Sequence, residues 1–135
     1  MTLDTAAINA AIAPAFKSLA YRDAVSDTVE LIQDGPDHLL TYESQEYACN
    51  KACGECNGHG TGFELRLKHQ ERVVEILDVY INPHYRNNGW GRATVRTIEQ
   101  IAERLQYERV RIVENARPAF WSKCGYVDEE KRIRS

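Results

Sequence analysis

The sequence predicts a mixed α/β fold in one domain, with a mostly antiparallel central sheet and helices packed on both sides. Two observations carry this. The order of apolar patterns is a helix, a run of antiparallel-looking strands, then strand–helix–strand–helix–strand. The length of 135 residues is one domain's worth and long enough to bury a core without disulfides.

The elements follow in order. Asp4 can cap a helix that places Ile8, Ile12, Phe16 and Leu19 on one face, with Pro14 inside it as a kink or a boundary. Thr28–Gln33 and His38–Glu43 flank Asp34-Gly-Pro-Asp37, a hairpin pattern. Residues 47–62 form an island holding half of the eight glycines and three of the four cysteines, a composition that excludes a helix or regular strand. Phe63–Lys68 alternates as a strand, and His69–Arg72 turns it into Val73–Ile81, a long strand rich in β-branched residues. From Gly91 to Leu105 the spacing becomes helical, with Val95, Ile98, Ala102 and Leu105 on one face. Arg109–Val113 is a short strand. Ala116–Cys124 is a short helix with Pro118 in its first turn and Gly125 closing it, and a last strand begins at Tyr126.

With 43% hydrophobic and 27% charged residues, the chain is neither disordered nor fibrous. No apolar run reaches the roughly 20 residues of a membrane span. The first twenty residues contain Asp4 and lack a basic segment, so they do not read as a signal peptide and cytoplasm is the expected location. Net charge is -3, unevenly spread. Residues 1–60 carry three basic and nine acidic residues, and the remainder fourteen basic and eleven acidic. An anionic ligand therefore favours the C-terminal half and a cationic one the N-terminal half. Nothing marks a nucleic-acid site.

Between the long strand and the long helix lies Arg86-Asn-Asn-Gly89-Trp-Gly91-Arg92. A glycine turn at a helix N-terminus lets backbone N–H groups approach phosphate oxygens, and two arginines there suit a bound anion. The wider stretch Leu77-Asp-Val-Tyr-Ile-Asn-Pro-His-Tyr-Arg-Asn-Asn-Gly-Trp-Gly-Arg92 resembles the acyl-CoA signature of the GNAT superfamily of N-acetyltransferases. Downstream, Glu114-Asn-Ala-Arg-Pro-Ala-Phe-Trp-Ser-Lys-Cys-Gly-Tyr126 is similar to that family's Asn…Phe-(Tyr/Trp)-x-Lys-x-Gly-(Phe/Tyr) segment.

The resemblance implies acetyl-CoA as donor. Its pyrophosphate would sit on Asn87, Asn88, Gly89, Trp90 and Gly91, with Arg86 and Arg92 nearby. The pantetheine arm would bond the main chain around Val79 and Ile81 and touch Asn115, with Trp121 packed beside it. An amine acceptor would attack the thioester directly. The acceptor could be a small molecule or a protein lysine or N-terminus. A homodimer is one option for the assembly.

Glu75 occupies the long strand where several family members carry a general base. A carboxylate there is functional or is ion-paired with Arg66 or Arg111. Asp78 is the rival, on the opposite strand face unless a bulge reorders the faces. Many relatives place a tyrosine acid where this chain has Trp121. Tyr126 and Cys124 are neighbouring substitutes, or the CoA thiolate leaves without a dedicated acid. Cys49, Cys53, Cys56 and His59 have the types and spacing of one tetrahedral zinc site, and Cys53–Gly60 resembles one CxxCxGxG repeat of the cysteine-rich zinc region of J-domain chaperones. Free thiols, a redox pair or a disulfide are the other readings of the island. A catalytically silent CoA-binding or zinc-knuckle protein on the same fold is the alternative to an enzyme.

Overall fold

The computed structural model describes residues 4–19, 24–46, 62–81, 90–115 and 117–133. Helix α1 spans Thr5–Ile12. The Asp4 carboxylate caps it, accepting from the Ala7 N–H at 2.7 Å, and replacing such a cap with alanine costs about 1 kcal/mol. Pro14 acts as a boundary rather than a kink: it lacks the N–H that would bond Ala10, and its ring crowds that carbonyl. The chain tightens into a 3-10 segment, Ala13–Leu19.

Strands β1 (Ala24–Asp34) and β2 (Asp37–Glu46) form the expected hairpin, longer than the pattern suggested. Gly35 has φ +62°. Pro36 cannot take a positive φ, so the two-residue turn matches type II′ and not I′. Strands β3 (Gly62–Lys68) and β4 (Val73–Tyr80) follow. Helix α2 (Trp90–Arg104) then crosses to β5 (Arg109–Ile112). Helix α3 (Pro118–Lys123) and β6 (Glu130–Arg132) complete the described elements. The sheet order is β1-β2-β3-β4-β5-β6. Among the described strands only β4 and β5 run parallel, the pair that requires a crossover helix.

The last strand starts later than expected. Gly125, at φ +95°, ends α3 with Gly125 N–H bonding Ser122 O and Tyr126 N–H bonding Trp121 O. These are the two bonds of a Schellman motif, and the Tyr126 and Trp121 rings make its apolar contact. Tyr126 is therefore part of the helix cap. Asp128 and Glu129, both at positive φ, then form a tight turn between Val127 and Glu130, and β6 begins only there.

The core lies between the sheet and α1, the 3-10 segment and α2. Phe63, Leu65 and Leu67 of β3 point into it, whereas Glu64, Arg66 and Lys68 turn to the other face. Ile98 and Ile101 of α2 are fully buried in the same core cluster as Val74 and Val110. Of the helices expected on both sides, α1, the 3-10 segment and α2 share this one face. No described helix is long and apolar enough to cross a membrane.

Gly62 is a steric requirement at the start of β3. A Cβ there would lie 2.5 Å from the Tyr42 carbonyl oxygen, a backbone atom fixed by the β2–β3 ladder. Gly62→Ala should therefore cost roughly 1–3 kcal/mol, read as a lower urea midpoint. An unchanged midpoint would show that the ladder yields at this point.

Candidate active site

The site is built by the way β4 leaves β5. The two strands pair from Val73↔Arg109 to Ile76↔Ile112, and the Val113 N–H still reaches Ile76 O. Beyond Ile76 the ladder to β5 stops while β4 continues to Tyr80. Every second residue of a strand turns its N–H and C=O toward each edge, so alternate residues of Leu77–Tyr80 turn main-chain groups to the gap in pairing where the β5 ladder has ended. Val79 lies in this stretch and Ile81 follows it.

A β-bulge begins at the same point. Leu65 opposes Ile76 but Glu64 opposes Asp78, which leaves Leu77 as the extra residue. The bulge reverses the alternation after Ile76. Val79 joins Phe63 on the core side, and Asp78 comes onto the same face as Glu75, opposite Glu64 and Arg66. The regular-strand expectation, with these two carboxylates on opposite faces, is thus replaced by the bulged arrangement.

The two carboxylates differ in surroundings. Glu75 is largely covered and accepts from Arg111 Nη1 at 3.3 Å. Arg111 also donates to Glu130 at 2.9 Å and lies 3.7 Å from Glu71. This guanidinium holds the Glu130 carboxyl below its ordinary value. Arg66, the other partner weighed for Glu75, instead bonds Asp34 and Asp37. Asp78 is exposed and sits beyond the last β5 pair.

Asn115 lies three residues past the end of β5. Its Oδ1 is buried and has no hydrogen-bond partner among the described residues, and a buried acceptor calls for a donor. Trp121 is buried, its ring set edge-on to Phe120 and to Tyr126. The Tyr126 hydroxyl donates to Glu99 of α2 at 3.0 Å, and Lys131 reaches the same carboxylate and the Cys124 carbonyl. Burial, and then the Glu99 charge, push the Tyr126 phenol far up. The group is a brace between α2, α3 and β6, with the Tyr126 proton donated to Glu99.

Helix α2 opens at Trp90, with Arg92 exposed in its first turn. The structure adds a role for Gly91 that sequence spacing did not show: a Cβ there would meet Phe120 Cε1 at 3.1 Å, so this glycine lets α3 approach α2. Arg86, Asn87, Asn88 and Gly89 lie outside the described residues, as do Cys49, Cys53, Cys56 and His59. Among the described residues no group of three or more metal-ligating side chains collects.

The acetyltransferase (GNAT) family model matches residues 8–126. The chain belongs to the GNAT acetyltransferase family. Acyl transfer from an acyl-CoA is the activity that membership implies, and the bulged β4, the gap and the start of α2 all fall within the matched region. Four solved chains match this GNAT domain in structure. One is nourseothricin acetyltransferase, 12% identical, with 79% of this chain and 73% of that chain covered and a TM-score of 0.47. No curated protein matches.

Proposed function

We propose that this chain transfers the acetyl group of acetyl-CoA to an amine, by direct attack within a ternary complex. The observation that carries the reading is the end of the β5 ladder beside Leu77–Tyr80, together with the buried Oδ1 of Asn115 just after β5, which has no hydrogen-bond partner among the described residues. A pantetheine arm carries amide donors and acceptors that suit both. The pyrophosphate would rest on Asn87–Gly91 with Arg86 and Arg92 beside it, as the family's glycine turn implies.

In this reading Asp78 is the base. It stands on the open stretch of β4, whereas the Glu75 carboxylate is already engaged by Arg111. Asp78 takes a proton from the acceptor ammonium, directly or through a water. The amine nitrogen then attacks the acetyl carbonyl carbon, the C–S bond breaks, and CoA leaves as a thiolate that takes its proton from solvent. Main-chain N–H groups at the gap are available to the developing oxyanion. One structural zinc on Cys49, Cys53, Cys56 and His59 belongs to the same proposal, supported by spacing alone, and zinc near one equivalent per chain is its expected readout.

The experiment is a panel of amines (polyamine, peptide lysine, peptide N-terminus, aminoglycoside) with acetyl-CoA and detection of released thiol. At least one amine should raise thiol release above the background hydrolysis, with formation of its acetamide. Donor binding with no transfer to any amine would favour the catalytically silent CoA-binding reading.

A further inference from the structure

At the other end of β4, the His69–Arg72 turn closes over a chain of four side chains from four parts of the fold. Thr5 Oγ1, in the first turn of α1, is 3.1 Å from His38 Nε2 on β2. His38 Nδ1 is 2.8 Å from His69 Nε2. His69 Nδ1 meets the Tyr107 hydroxyl, just past α2. His38 is 2% exposed and Tyr107 3% exposed. The site is distant in strand position from the open stretch Leu77–Tyr80 and has no part in the proposed acyl transfer.

Counting protons shows what the chain can hold. Each of its three contacts has room for one hydrogen. With both imidazoles neutral, the chain is satisfied in either direction, from Thr5 to Tyr107 or the reverse. One extra proton can also be placed: a doubly protonated His38 donates to Thr5 and His69, and His69 donates to Tyr107. The mirror arrangement serves a charged His69. A second extra proton has no place, because two N–H groups would then point at each other across 2.8 Å.

The geometry points to an acid-sensitive latch: Thr5, His38, His69 and Tyr107 tie α1, the sheet and α2 together only while the histidine pair carries no more than one extra proton. The surroundings give little help to a charged pair. From α1 comes the uncharged Thr5, since the Asp4 carboxylate caps its own helix. From β2 comes Asp37, which favours a proton on His69 but already bonds Arg66. Lys68 and Glu71 pair with each other around the turn. Tyr107 contributes a phenol that burial pushes up, so it stays neutral. Burial, and then His38, hold the His69 imidazole below its ordinary value.

The sign follows from linkage. Below about pH 6.5 the unfolded chain binds up to two protons on these rings and the folded chain at most one. Stability is therefore full above the unfolded value and is lost as pH falls beneath it. Each excess proton lowers the folding constant about tenfold per pH unit.

Two measurements test this. Ring nitrogen shifts of the folded protein, followed from about pH 8 to about pH 5, should show His38 and His69 taking up one proton or none between them. Two independent titrations near the ordinary histidine value in the folded protein would overturn the latch. Urea unfolding at both ends of that range should then show the wild type losing at least about tenfold more in folding constant than His69→Gln. Equal losses would overturn it too. If His69→Gln does not fold, the ring titration of the wild type decides alone.

Discussion

Asp78→Asn should lower kcat roughly 10²-fold or more at neutral pH while leaving donor affinity nearly unchanged. The amide keeps the shape of the side chain but cannot accept a proton from an ammonium. The loss should shrink at high pH, where free amine is abundant. Glu75→Gln should behave differently. It removes one partner from Arg111, which keeps Glu130, so the effect should fall on stability, with kcat changed only a few-fold. Steady-state kinetics of both variants across pH make the comparison. The opposite ranking, with Glu75→Gln the damaging change, would move the base to Glu75 and make its pair with Arg111 a resting state.

That choice between carboxylates shows where sequence reading reaches its limit. Val73–Tyr80 is legible as a strand because β-branched residues and alternation mark it. The extra residue at Leu77 is not, because a bulge depends on how β3 and β5 constrain β4 and leaves no composition signal. The faces of Glu75 and Asp78 follow from that single residue. Tyr126 is a similar case. Gly125 signalled the end of α3, but the cap's second bond commits Tyr126 to the helix end, and its hydroxyl reaches Glu99, 27 residues away. Pro14, Gly35 and Pro118 acted as local rules say, since their effects are fixed by their own backbones. The His38–His69 contact joins residues 31 apart, and nothing in either neighbourhood marks it.

Gly89→Val should weaken acetyl-CoA binding roughly 10²-fold or more, about 3 kcal/mol, in a protein that remains folded. In the proposed donor site this glycine lets backbone N–H groups come close to the pyrophosphate, and a branched side chain would stand between them. Gly91→Ala provides the contrast. Its Cβ would press on Phe120 at 3.1 Å, the ring of a side chain that can give by a few tenths of an ångström. It should therefore loosen α3 against α2 and weaken binding less than Gly89→Val does. Calorimetric titration of the two variants distinguishes a phosphate cradle from helix packing. Equal affinity of Gly89→Val and the wild type would remove the cradle.

In the proposed function the acyl-CoA arm occupies the gap where the β4–β5 ladder ends. Backbone and side-chain amide resonances followed during a titration with acetyl-CoA test it most directly. The predicted result is a saturable change at one site, concentrated on Leu77–Ile81, the first turn of α2 and the Asn115 side-chain amide, with His38, His69 and Tyr107 unmoved. Saturable binding that leaves Leu77–Ile81 and Asn115 unshifted, or no binding at all, would contradict the account.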